Sequence, residues 1–433
     1  MLPQSETTRR GIPPVDWATG DLDLNKNSSE TPTASHGSGR PEAQLLLACS
    51  RTYVDSATAT RIKTLLEGEL DWEYVLRTAH EHGVTSLLSQ SLSSVDPKAA
   101  PEEILCRLRS FASDIARYNL FRTRELIKLL GILDAEGIPC FPFKGPVLSA
   151  LVYHNLALRE YGDLDVLVHP KDVLRTRDLL IEHGYHVWSP PNRTRKSPQF
   201  SHRHKDLAFE NADGQVRVEL HWRLSGNHFR FPLDLEQLWG RLETISLGNA
   251  KVRTLAIEDL LIYLCMHGSR HGWERLLWIC DVAEIVRRPN EIDWRRVRDG
   301  VHTLGCERML GLGLLLARDL LGAKLPEEEW QKIPVDQTVK SLAVQVEGLL
   351  FNDFSSGISY WNDLHLRVRE RLRDRMRVRL HYYRRYLRLA VIPNERDRAI
   401  MPLPRFLFSL YYLLRPFRLV KTFGVATLKK LRH

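Results

Sequence analysis

The 433-residue chain lacks three features that would have fixed its compartment or its chemistry early. It has only six cysteines, Cys49, Cys106, Cys140, Cys265, Cys280 and Cys306, and none forms a CxxC pair. This pattern fits reduced, mostly buried thiols better than a disulfide framework or a zinc cage. No stretch approaches about 18 consecutive apolar residues, so a membrane-spanning helix is not expected. The N-terminus offers no apolar core of a secretory signal, so a cytoplasmic location is the expectation. From Met1 to about residue 42 the chain has Trp17 as its sole aromatic and is rich in Ser, Thr, Pro, Gly and Asn. Such a composition buries too little apolar surface to offset the entropy of ordering, and residues 1–42 read as a disordered tail.

Elsewhere the composition is that of a folded protein, with 43% hydrophobic and 27% charged residues. The length points to two or three structural units. A formal net charge of +9 suggests an anionic partner: nucleotide, nucleic acid or membrane surface.

Residues 43–137 read as a helical lead-in, with Leu126, Leu129, Leu130 and Leu133 spaced as one helical stripe. Between 138 and 224 the period switches repeatedly. Strands are expected over 138–143, 163–168, 185–188, 206–210 and 215–222. Pro146 opens a helix running to His154, and Asp172 caps another that Gly184 ends. Asn211-Ala212-Asp213-Gly214 is a hairpin turn signal. A compact α/β (α+β) core with a mixed sheet follows, with a helical accessory domain over 225–350 and a basic C-terminal part over 351–433.

The chemistry is concentrated at Asp163-Leu164-Asp165, which runs into Val-Leu-Val. On a strand, residues two apart share a face, so both carboxylates point the same way, about 7 Å apart. Like charges so placed resist burial without a cation, and a divalent metal is the natural one. In residues 216–221, valines and leucine alternate with Arg217, Glu219 and His221, giving one apolar and one polar face. If this strand pairs beside 163–168, Glu219 becomes a third carboxylate on the same face, and the set could hold one or two metals.

Lys144-Gly145, Arg159, the DLD strand, Glu219-Leu220-His221-Trp222 and the stretch LIYLCMHGSRHGWERLLWICDVAEIV resemble the uncharacterised bacterial nucleotidyltransferase family of the polymerase β-like superfamily. The resemblance implies Mg²⁺-dependent (or Mn²⁺-dependent) transfer of a nucleoside monophosphate from an NTP such as ATP. The acceptor would be a small molecule, a carbohydrate or a protein. It implies Asp163, Asp165 and Glu219 as catalytic metal ligands, and Lys144, Gly145, Arg159 and His221 as nucleotide-binding residues. Two differences from the usual superfamily pattern stand out: Gly145 is followed by Pro146, and Glu219 occupies a position where aspartate is more common.

His267 and His271 share a helix face, but the intervening Gly-Ser-Arg lacks the glutamate of an HExxH metalloprotease. Packing against the α/β core is the expectation, with Asp281 as their hydrogen-bond partner. From His365 to Leu389 arginine recurs at nearly every second position, which on a helix leaves Leu366, Leu372, Met376, Leu380, Tyr383 and Leu387 to pack. A solvated helix and a helix bound to an anionic membrane or nucleic acid both fit. Nucleic acid is the less expected partner, since no recognised module is present. The aromatic run 406–414 with its basic flank fits either an interfacial membrane segment or a helix docked on the protein itself. The alternative to an enzyme is therefore a noncatalytic nucleotide-binding scaffold whose basic C-terminus makes it peripheral at the inner membrane face.

Overall fold

The structure, a computed structural model, describes residues 39–96, 98, 100–188, 205–226, 235–351, 358–392, 405–412 and 415. Residues 1–38 of the expected N-terminal tail and, Arg415 apart, the basic stretch after residue 412 lie outside the described residues. The chain divides into two compact units, 1–356 and 357–433.

The first unit opens with helices α1 (Pro41–Cys49), α2 (Ser56–Leu66), α3 (Trp72–His82), α4 (Thr85–Val95) and the 34-residue α5 (Glu102–Ala135). Asp55 and Asp71 cap α2 and α3, each accepting a bond from a backbone N–H three residues on. Strands β1 (Cys140–Pro142), β2 (Asp163–Val168), β3 (His186–Val187), β4 (Asp206–Glu210) and β5 (Arg217–His221) form one mixed sheet in the order β1-β2-β5-β4-β3. Between β1 and β2, α6 (Pro146–Leu148) continues as a π-helical turn to Tyr153; α7 (Val173–Glu182) links β2 to β3. Gly184, at φ 83°, ends α7 as the sequence suggested. Asp172 does not cap it: its carboxylate makes no capping bond, because the residue is already helical at the end of a 3₁₀ turn.

The sheet sorts its faces by the pleat. Leu164, Val166, Val168, Leu207, Phe209, Val218 and Leu220 cluster on one side with Leu126, Leu129 and Leu133 of α5 and Val173 and Leu180 of α7. Those side chains are essentially fully buried, each worth about 1.5–3 kcal/mol relative to exposure. The other side carries the charged residues.

After β5 come α8 (Leu235–Gly240) and a hairpin not anticipated from the sequence, β6 (Glu243–Leu247) and β7 (Ala250–Thr254). Thr254 Oγ1 donates to the Pro142 carbonyl at 2.7 Å, tying the hairpin to β1. Helices α9 (Ile257–Arg270), α10 (Leu276–Val286), α11 (Trp294–Leu304), α12 (Glu307–Leu321), α13 (Glu327–Trp330) and α14 (Gln337–Leu350) complete the unit. Gly268 and Gly313 admit Trp273 between α9 and α12: a Cβ at Gly268 would lie 2.5 Å from its ring.

The second unit contains α15 (Ile358–Arg367) and α16 (Leu372–Val391). Leu364, Val368 and Val378 are buried, and His365 Nδ1 lies 2.6 Å from the Tyr382 hydroxyl. The packing expected of Leu372, Met376, Leu380, Tyr383 and Leu387 is not found, because Val378 and Tyr382 occupy the α15-facing side of α16. Those five are 48–72% exposed. Among the described residues no helix is long and apolar enough to cross a membrane.

Candidate active site

β2 and β5 run parallel, with Asp163 beside Arg217, Asp165 beside Glu219 and Leu167 beside His221. The pairing on which a third carboxylate depended is therefore present. The Asn211–Gly214 turn then fixes β4 against β5, so that Asp206 faces His221. In that turn Asn211 Oδ1 accepts from the backbone N–H of Gln215 and Val216. Asp163, Asp165, Glu219, His221 and Asp206 thus share one sheet face.

Asp165 is the buried centre of this face, at 1% exposure. His221 Nε2 lies 2.8 Å from Asp165 Oδ1 and 3.3 Å from Glu219 Oε2. Lys144 Nζ lies 3.1 Å from Asp165 Oδ2. Asp165 is thus held between the His221 imidazole on one oxygen and the Lys144 ammonium on the other. On the far side of the imidazole, Lys205 Nζ stands 3.5 Å from His221 Nδ1 and pairs with Asp206.

The charges perturb one another strongly. Burial alone would raise Asp165, but Lys144 and His221 outweigh it and hold the carboxyl well below its ordinary range. Burial, then Asp165 and Glu219, push Asp163 upward. Lys144 is raised above its ordinary value by Asp165 despite its own burial. Burial and Lys205 oppose charging of His221, yet the two carboxylates prevail and raise it. Carboxylates driven apart in this way are characteristic of reaction centres.

Gly145 explains how Lys144 reaches the site. Its backbone, at φ 57° and ψ −125°, is one that only glycine adopts readily, and a Cβ there would stand 3.3 Å from the Asp163 carbonyl oxygen. The turn therefore lies directly against the start of the carboxylate strand.

One side chain of each of Asp165, Glu219 and His221 can offer a ligand atom with all three atoms within 4.8 Å of one another. The buried carboxylate of Asp165 and the chemistry of this oxygen- and nitrogen-donor set fit a divalent cation. Asp163 is not in that close set but lies one pleat earlier on the same face. His221, assigned from the sequence to nucleotide, is placed here among the carboxylates.

Arg159 is placed differently from the phosphate-binding position suggested by the sequence. It is buried, and its Nε and Nη2 each donate to Asp281 at 2.8 Å, where Asp281 also accepts from Tyr153 at 2.7 Å. Asp281 is thus the partner of Arg159 and Tyr153 rather than of the histidines. Asn119 of α5 donates to the carbonyls of Leu156 and Arg159 and holds this loop against the helix.

The helical side contributes a ring cluster. Tyr263 packs edge-on against Phe143, which packs edge-on against His221. One turn further along α9, His267 lies 5.9 Å from Tyr263, 4.7 Å from His271 and 5.3 Å from Trp278, centroid to centroid. Burial, with Lys144 next, keeps His267 neutral. Tyr263 also borders a cavity of about 660 Å³ on the flank of α9, lined by Asp259, Met266, Arg296 and Thr303 among others.

Sequence reasoning missed Lys205, Asp206 and Tyr263, and also Arg122 of α5. The Arg122 guanidinium feels Asp163, and its Nε is buried without a hydrogen bond. Counting outward from the Asn211–Gly214 turn would have set Asp206 opposite His221; nothing local marks Arg122 or Tyr263.

No curated protein and no solved structure matches the chain. The family model described as uncharacterised nucleotidyltransferase matches residues 68–322, more than half of the chain and the whole of the sheet that carries these carboxylates. The chain belongs to this uncharacterised nucleotidyltransferase family.

Proposed function

We propose that the protein transfers a nucleoside monophosphate from an NTP to an acceptor nucleophile, with Mg²⁺ or Mn²⁺ held by Asp163, Asp165 and Glu219. The observation that carries this reading is the register pair of buried Asp165 and half-buried Glu219 beside the Lys144-Gly145 turn, in a chain whose family is one of nucleotidyltransferases. A divalent cation held there would offset the charge of the triphosphate and make pyrophosphate a better leaving group.

The protein's own groups supply the rest. Lys144 places a fixed positive charge beside the carboxylates, where it orients a donor phosphate. Gly145 lets the backbone of the turn approach that phosphate closely. His221 holds the Asp165 and Glu219 carboxylates together and, paired on its other side with Lys205 and Asp206, keeps one ring orientation. Glu219, the more exposed of the two register partners, is the carboxylate that receives the acceptor's proton. The His267, His271 and Trp278 rings offer a stacking surface for a base or a cyclic acceptor on the α9 side.

The test is pyrophosphate release from each NTP with Mg²⁺ and a cell extract as acceptor source. Release that Asp163→Asn with Asp165→Asn abolishes supports the reading. NTP binding with no release from any of the four would replace it with a noncatalytic nucleotide-binding role.

A further inference from the structure

We propose that α16 is a peripheral docking helix for an anionic lipid bilayer, an inference that does not depend on the nucleotidyl-transfer reading. Leu372, Met376, Leu380, Tyr383, Leu387 and Val391 are 43–72% exposed. At about 100° per residue, all six fall in one sector about 100° wide. Val378, Tyr382 and the contact to His365 lie on a different side of the helix, so the exposed stripe faces away from α15.

Charge frames the stripe on both edges. Arg375 and Arg379 follow one margin, and Arg373, Arg377 and Arg384 the other. In all, α16 carries seven arginines against the single acid Asp374. An aliphatic stripe between two arginine rows suits the boundary between headgroups and acyl chains: the rows meet lipid phosphates while the stripe enters the hydrocarbon edge. A second copy fits poorly, since pairing the stripes would oppose arginine rows to arginine rows. A nucleic acid would engage the arginines but would leave the aliphatic stripe in water.

The experiment is co-flotation of the full-length protein with vesicles of phosphatidylcholine alone or mixed with phosphatidylglycerol. Binding is expected only to the mixed vesicles, weakening as salt rises toward about 1 M, where screening is nearly complete. Met376→Glu with Leu380→Glu, and separately Arg379→Glu with Arg384→Glu, should each reduce the bound fraction about tenfold, since each removes one of the two interactions. Val344→Glu, a similarly exposed apolar position on α14, should leave it unchanged. No flotation with phosphatidylglycerol, or equal loss in all three variants, would overturn the proposal. So would a dimer that the stripe variant dissociates without affecting flotation, or RNA binding that the arginine variant alone removes.

Discussion

Asp165 on β2 and Glu219 on β5 are register partners in a parallel ladder, and a single imidazole, His221, lies within 3.3 Å of both carboxylates. Fifty-three residues of chain separate the two acids, so only the topology β1-β2-β5-β4-β3 brings them together. With Lys144 on the other Asp165 oxygen, two basic groups flank this register pair.

If His221 fixes the two carboxylates as a unit, His221→Ala should weaken Mn²⁺ binding about 10–100-fold, the usual effect of losing a group that orients metal ligands. Electron paramagnetic resonance titration of free Mn²⁺ measures this directly. An unchanged affinity would mean that the carboxylates are positioned without the imidazole.

Arg159 and Asp281 form a fully buried ion pair, and removing one member strands the other. Arg159→Met should therefore lower stability by about 3–5 kcal/mol, whereas Arg159→Met with Asp281→Leu should recover much of it. Urea unfolding distinguishes the outcomes. Retained stability with lost NTP binding would instead return Arg159 to the phosphate role suggested by the sequence.

His82 is buried between α3 and α10, where its Nδ1 accepts the Leu276 backbone N–H at 3.2 Å. Burial pulls its pKa down from 6.5 to about 4. The folded protein thus holds the neutral ring while the unfolded chain takes a proton below pH 6.5, so stability falls as pH drops through this window. His82→Asn keeps an acceptor but cannot titrate, and should show a shallower loss between pH 6.5 and 4. Identical slopes for the two proteins would contradict the assignment.

Gly268 leaves no room for a side chain beside Trp273. Gly268→Ala should destabilise by about 1–3 kcal/mol or more through overpacking, measurable as a lower urea midpoint. A midpoint equal to that of the parent would show that the indole can move aside.

Much of the sheet was legible because its signals are local. The alternation in 163–168 and 216–221 identified both strands and the polar face, and Gly184 and the Asn211–Gly214 turn marked their own positive-φ or hairpin geometry. The β6–β7 hairpin carries a local signal too, Gly248-Asn249 between two short alternating runs, inside a region whose overall pattern is helical. Gly248, at φ 59°, makes that turn. What the pattern could not supply were the distant pairings. Nothing near Arg159 points to Asp281, 122 residues away, and nothing in α16 says which of its two apolar sides meets α15. Those choices are made by tertiary packing, which local spacing does not encode.

The most direct test of the central claim uses NTP labelled in turn at the α and the γ phosphate, incubated with Mg²⁺ and cell extract. Appearance of α-label in an acceptor, with γ-label leaving as pyrophosphate and both lost in Asp163→Asn with Asp165→Asn, is the expected result. Transfer of γ-label instead, or α-label transfer that survives the double substitution, would contradict the assignment of these carboxylates to nucleotidyl transfer.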